Sequence, residues 1–157
     1  MRKDIKLIKV VVGIGNYEHA EEIVDMLKTM YTVEVVADAE EAYHTIHVFK
    51  PNLAILDFSL AKIHPIELYE GVALIHPEVS FVLCVTKDNF KVAQRVWNKR
   101  SADFIFKPFT PQQFIYSVNK VVRNIINIRD IEQLKRKIEF LQAELQALQQ
   151  QAGRTEG

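Results

Sequence analysis

Three polar residues stand at the ends of apolar runs. Asn52-Leu-Ala-Ile-Leu-Asp57 ends on a carboxylate, Phe81-Val-Leu-Cys-Val leads into the hydroxyl of Thr86, and Ala102-Asp-Phe-Ile-Phe leads into Lys107-Pro108-Phe109. Short apolar runs bounded by polar residues read as buried strands. In a parallel sheet the carboxyl ends of neighbouring strands open into one crevice, where open α/β folds bind ligands. A carboxylate, a hydroxyl and an ammonium can then converge. Together they can hold a phosphoryl group on an aspartate, as nucleophile, hydrogen-bond donor and cation.

The elements that must position these groups follow from the alternation of apolar runs with helix-period segments. Ile8 to Ile14 reads as the first strand, followed by a helix with Ile23, Val24, Leu27 and Met30 on one face. Thr32 to Val36 is the second strand, and the next helix carries Ala39, Ala42, Ile46 and Phe49 before Pro51-Asn52 breaks it. The third strand ends at Asp57, and the third helix holds Ile66, Tyr69 and Val72 with Pro65 in its first turn. The fourth strand runs through Val85, a helix with Val92, Ala93, Val96 and Trp97 on its packed face follows, and the fifth strand ends near Phe106. Thr110-Pro111 reads as an N-cap followed by proline at the first helical position. Five βα units in sequence predict an α/β fold, a parallel sheet with helices on both faces.

The last helix has no stop signal where the domain should end. After Pro111, up to Gln150, there is neither Gly nor Pro, and forty helical residues span roughly 60 Å. Phe114, Val118, Val121, Val122 and Ile125 are expected against the sheet. Beyond them Ile131, Leu134, Ile138, Leu141, Leu145 and Leu148 recur at spacings of 3, 4, 3, 4 and 3. Position a reads Ile, Ile, Leu and position d reads Leu throughout, which favours a parallel two-stranded coiled coil. Asp130 at g and Lys135 at e can pair between parallel chains, and Asn124 and Asn127 fall on the preceding a and d positions. The other reading is a single helix whose stripe docks on a further domain. The chain is thus divided into a globular domain over 1–125, a coiled-coil extension over 126–150 and a disordered tail over 151–157.

Composition narrows the function. Twenty Lys+Arg balance twenty Asp+Glu, which argues against direct nucleic-acid binding, since that needs a basic surface. No run approaches the roughly 18 apolar residues of a membrane span, and the N-terminus lacks the apolar core of a signal peptide. The single Cys84 lies mid-strand and reads as a core residue. A reducing, cytoplasmic setting is expected. No Ser-His-Asp or Cys-His spacing asks for hydrolase chemistry, so no catalytic residue and no enzymatic activity are expected.

The motifs Ile-Leu-Asp57, Val-Thr86 and Phe-Lys107-Pro108-Phe109, at spacings of 29 and 21 residues, resemble those of bacterial response-regulator receiver domains of the chemotaxis-regulator type. The resemblance covers residues 5 to 125. It implies a five-stranded doubly wound, flavodoxin-like fold, with Asp57 as phosphoacceptor, Thr86 as the switch hydroxyl contacting the phosphoryl group, and Lys107 as the cation beside it. Phe104 occupies the switch aromatic position and offers no hydroxyl. The chain departs from the family at the end of the first strand. Two adjacent acids there hold Mg²⁺ together with the phosphoacceptor, and the matching residues are Gly15 and Asn16. Mg²⁺ favours carboxylate oxygen, and losing two of three anionic ligands should leave its binding weak or absent. Ser59 stands where the metal takes a backbone carbonyl. Ala61 and Pro65 replace the family's Pro and Gly, and Glu18 is expected to cap the first helix.

Blander readings compete at each position. A lone aspartate after a strand can simply be an N-cap. Gly13-Ile-Gly15 invites a nucleotide-binding α/β reading, yet the third glycine of that pattern falls on Glu18, whose charge opposes a pyrophosphate. His44 and His47, i and i+3 on the second helix, can ligate a metal or merely face solvent. Three functions follow in order. The first is an atypical receiver acting as a homodimeric signalling module through a parallel coiled coil, poorly phosphorylated and meeting a sensor kinase or downstream protein. The second is a working phosphoreceiver accepting phosphate on Asp57 from a histidine kinase. The third is a nucleotide-binding domain. No output domain is legible, so the chain either signals to a partner or belongs to a longer regulator.

Overall fold

The computed structural model describes residues 7–97 and 102–155. Five strands form one parallel sheet in the order β2-β1-β3-β4-β5: β1 Lys9–Gly13, β2 Thr32–Val35, β3 Leu53–Asp57, β4 Ser80–Val85 and β5 Ala102–Phe106. The helices are α1 Ala20–Met30, α2 Ala39–Phe49, α3 Pro65–Ile75, α4 Lys87–Trp97 and α5 Pro111–Thr155. This is the doubly wound, flavodoxin-like order, whose strand sequence reverses at β1 and β3 and opens a crevice there.

The pattern of burial explains the layers. Every residue of β3 is buried, as are Val10, Val11, Val12 and Gly13 of β1, the mark of strands covered on both faces. Val11, Ala54, Leu56, Phe81 and Leu83 join one cluster with Ala42, Ile46, Leu68, Tyr69 and Val72 from α2 and α3. Their alternate neighbours Val10, Val12, Ile55 and Val82 are equally buried on the opposite side, as are Ile23 and Leu27 of α1 and Phe114 and Val118 of α5. Tyr31 ties α1 to α5, its hydroxyl donating to Asn119 Oδ1 at 2.5 Å.

Local signals set the helix starts. Asp38 accepts from Glu41 N at 2.8 Å, and Glu41 accepts from Ala37 N at 2.9 Å, a reciprocal cap. Pro65 opens α3 behind His64, whose ring accepts from Ile66 N. Thr110 and Gln113 cap α5 reciprocally. The first helix departs from expectation. Glu18 does not cap it, because the helix begins one residue later than a cap there would require, with His19 at the N-cap and no side-chain cap bond.

The chain divides into two compact units, Met1–Val122 and Arg123–Gly157, and the boundary falls inside α5. In the first unit α5 buries Phe114, Ile115, Val118, Val121 and Val122. In the second, Ile131, Leu134, Ile138, Leu141, Leu145 and Leu148 are each 51 to 62 % exposed on the single chain. The helix runs on to Thr155, where the sequence reading placed a disordered tail from 151. Gln149 to Ala152 are adequate helix formers, and one interior glycine, Gly153, costs only about 1 kcal/mol. Glu156 and Gly157 lie outside the described residues. Among the described residues no helix is long and apolar enough to cross a membrane.

Candidate functional site

Asp57 ends β3, a central strand, so its side chain leaves the sheet at the crevice. Its backbone is fixed by pairing with Cys84 on β4, and Phe58 N donates to Cys84 O at 2.9 Å. The carboxylate is only 7 % exposed. A charge so placed must be compensated, and two residues compensate it. Lys107 Nζ donates to Oδ2 at 2.9 Å and to Oδ1 at 3.1 Å. Ser59 donates to Oδ1 twice, from its backbone N at 2.8 Å and from its hydroxyl at 2.5 Å. Lys107 is aimed by the sheet: its own N–H donates to Val85 O at 2.8 Å, so the β4–β5 ladder extends to the lysine.

These groups border a cavity of about 430 Å³ whose walls include Gly15, Asn16, Tyr17, Asp57, Ser59 and Lys107. The structure thus brings Asp57, Lys107, Gly15 and Asn16 to one place. Gly15 holds φ +63°, with open space where a Cβ would stand, whereas a Cβ on Gly13 would lie 2.8 Å from Val36 Cγ2 and 3.1 Å from Leu60 Cδ1. The two glycines answer different needs, backbone conformation at 15 and space at 13. Tyr17 closes one side: its hydroxyl donates to Phe109 O and its ring lies 4.5 Å from that of Phe109. No sequence signal pointed to Tyr17.

Thr86 is placed differently from the expectation of a hydroxyl converging on Asp57. It stands at the end of β4, but its Oγ1 accepts from Asn89 N at 3.4 Å while its own N donates to Asn89 Oδ1 at 2.7 Å. That reciprocal cap starts α4, and Thr86 does not line the cavity. The hydroxyl that reaches Asp57 belongs to Ser59, for which the sequence offered only a backbone role. Phe104 is half-buried, edge-on to Phe90 with centroids 5.4 Å apart. Cys84, beneath Asp57, is fully buried. Burial and the neighbouring carboxylate push its thiol well above the usual range, so it is inert.

The donor set does not fit the Mg²⁺ that the family resemblance implies. One carboxylate lines the cavity, both of its oxygens are engaged by Lys107, and the β1 edge contributes an amide and a glycine. Mg²⁺ is bound by hard oxygen donors with carboxylates foremost, and the one carboxylate present is already paired with the Lys107 ammonium. Among the described residues no group of three or more His, Cys, Asp or Glu is arranged to hold a metal ion.

Comparison with known proteins places this geometry. The response regulator receiver domain family matches residues 16–119. The chain is 27 % identical over 107 residues to the nitrogen assimilation regulatory protein NtrX of Azorhizobium caulinodans, covering 67 % of this chain and 24 % of that protein. It is 26 % identical over 102 residues to the chemotaxis protein CheY of Thermotoga maritima, covering 61 % of this chain and 85 % of that one. The chain therefore spans about a quarter of the NtrX relative's length. In fold it is similar to a CheY-like receiver domain from Methanospirillum hungatei, with a TM-score of 0.65 at 20 % identity over 77 % of this chain and 98 % of that one. It is similar also to NtrX from Brucella abortus, with a TM-score of 0.72 at 21 % identity over 82 % of this chain and 29 % of that one. The strand order, the aspartate ending β3, the lysine after β5 and the family match agree, and the chain belongs to the response regulator receiver domain family.

Proposed function

We propose that this receiver is an atypical one, a dimeric signalling module that is poorly phosphorylated and works without the usual Mg²⁺ site. The observation that carries the reading is the state of Asp57: Lys107 and Ser59 engage its oxygens, and the cavity beside it is lined by Gly15 and Asn16, the residues that the resemblance matches to the family's two acids. Phosphoryl transfer relies on a cation that neutralises charge on the transferring group, and here an ammonium supplies the only such charge among the cavity-lining residues. The second half of the reading is the C-terminal helix. Ile131, Leu134, Ile138, Leu141, Leu145 and Leu148 form a heptad stripe that the single chain leaves exposed, and a second copy in parallel register covers it by the pattern that favours two strands. Such a module passes its signal to a sensor kinase or downstream protein through its receiver faces.

One observation favours a second reading, a working phosphoreceiver. Asp57 and Lys107 are already in contact at the cavity floor, and that pair is the nucleophile and cation an aspartyl-phosphate needs. No comparable feature supports nucleotide binding, since Gly13 is held against Val36, Leu56 and Leu60 and serves close packing.

Calorimetric titration with Mg²⁺ separates the two readings. The native chain should show no saturable binding at millimolar concentration, and Gly15→Asp with Asn16→Asp should create it. Aspartate tolerates the left-handed backbone at position 15 better than most residues. Saturable Mg²⁺ binding by the native chain at millimolar concentration or below would overturn the proposal.

A further inference from the structure

Two imidazoles meet at the other end of the sheet. His47, in the last turn of α2, and His76, the C-cap of α3, stand six and four residues before β3 and β4 begin, so they lie at the amino edge, away from Asp57. His47 Nδ1 and His76 Nε2 are 3.1 Å apart, with ring planes at 63°. Two nitrogens bound to one tetrahedral zinc, each at about 2.0–2.1 Å, lie about 3.3 Å from one another. The observed separation is therefore close to that of two ligands of one ion. In the metal-free chain an N–H···N bond holds the rings in the same relation.

Three features prepare the pair. Glu78 Oε1 lies 3.6 Å from His76 Nδ1. At that distance the carboxylate is not hydrogen-bonded to the ring, but its negative charge favours a cation held by the imidazole. Both histidines sit at helix C-termini, where unpaired carbonyls favour positive charge. The backbone is rigid: His76 N–H donates to Val72 O at 2.6 Å, Val79 N–H donates to His76 O at 3.2 Å, and Ile46 and Val72 lock α2 and α3 into one cluster. The sequence pairing of His44 with His47 is replaced by this contact, 29 residues apart.

We infer that His47 and His76 form a binding site for a divalent transition metal of the zinc type, with water completing the coordination. Two protein ligands suit a labile, micromolar site rather than a structural one. Imidazole donors select zinc, copper or nickel over Mg²⁺, so this site is independent of the Asp57 cavity in place and in chemistry.

Calorimetric titration of the untagged full chain with ZnCl₂ tests it, with circular dichroism confirming that each variant is folded. One ion should bind per chain with micromolar affinity. His47→Ala and His76→Ala should each weaken it at least about tenfold, and Glu78→Gln by less than either. His44→Ala and His19→Ala should leave it unchanged, as should excess Mg²⁺. Co²⁺ in place of zinc should give a visible absorption band that His76→Ala abolishes. Absence of micromolar binding, or binding indifferent to His47→Ala and His76→Ala, would overturn the inference and leave only a hydrogen bond between two rings.

Discussion

Replacing Lys107 by methionine keeps the length of the side chain and removes the charge that compensates Asp57. The Asp57 side chain is 8 % exposed and the lysine side chain 23 % exposed, so the pair is screened far less than a surface bridge. Removing one partner of a buried pair typically costs about 3–5 kcal/mol. Ser59 retains its two bonds to Oδ1, which lowers the expected cost to about 2–3 kcal/mol, read against the same range. At about 4 °C per kcal/mol for a domain of this size, the midpoint should fall by about 8–12 °C. The informative comparison is a double-mutant cycle with Asp57→Asn, measured by urea unfolding in EDTA and again in Mg²⁺. Asp57→Asn alone should destabilise by about 1 kcal/mol, because a satisfied ion pair is lost. The double variant should recover part of the loss of Lys107→Met, with a coupling of about 1–3 kcal/mol. In a pocket crowded with acids the aspartate is repelled by its neighbours, and its neutralisation stabilises. Stabilisation by Asp57→Asn, or a coupling below about 0.5 kcal/mol, would refute the reasoning.

Other outcomes follow from particular contacts. Ile138→Asp with Leu141→Asp, at two of the six stripe positions, should yield a monomer by light scattering with an intact receiver spectrum; a monomeric native chain at tens of micromolar would contradict the pairing. Gly13→Ala forces a Cβ within 2.8 Å of Val36 and should cost about 1–3 kcal/mol by overpacking, read as a lower urea midpoint at unchanged slope. Asp38 is held below its usual range by the Glu41 N–H and by Lys62. Its charged form therefore stabilises the fold above the unfolded value near 3.9, and that contribution is lost as pH falls through the lowered folded value. Asp38→Asn, which keeps a capping oxygen, should be less stable than the native chain at pH 7, with the difference in Tm vanishing on acidification.

Much of the fold was readable because each strand is a short apolar run and most helices open on a marked cap. Asp57, Val85 and Phe106 end strands where the runs end, and Thr110-Pro111 opens α5 as expected. The beginning of α1 was not legible, since no Ser, Thr, Asp or Asn immediately precedes Ala20 and His19 makes no side-chain cap bond. Position along a strand told which residues reach the crevice edge, but not which partner a short hydroxyl takes. Thr86 turns to the N-terminus of α4, while Ser59, two residues past the aspartate, bonds it through the chain's own turn. Tyr17 and the His47–His76 contact depend on elements 92 and 29 residues apart, a relation that periodicity cannot carry. The heptad stripe was legible in full, because a repeat at i+7 is a property of the sequence itself.

The central claim is that Asp57 is held by Lys107 and Ser59 in a pocket that does not support ordinary phosphorylation. Its most direct test is incubation of the native chain with acetyl phosphate and Mg²⁺, followed by intact-mass spectrometry, with a receiver that carries both acids after its first strand as positive control and Asp57→Asn as negative control. The account predicts little or no gain of one phosphoryl mass on the native chain under conditions that label the control. Ready labelling that disappears in Asp57→Asn would contradict it and make this chain a working phosphoreceiver.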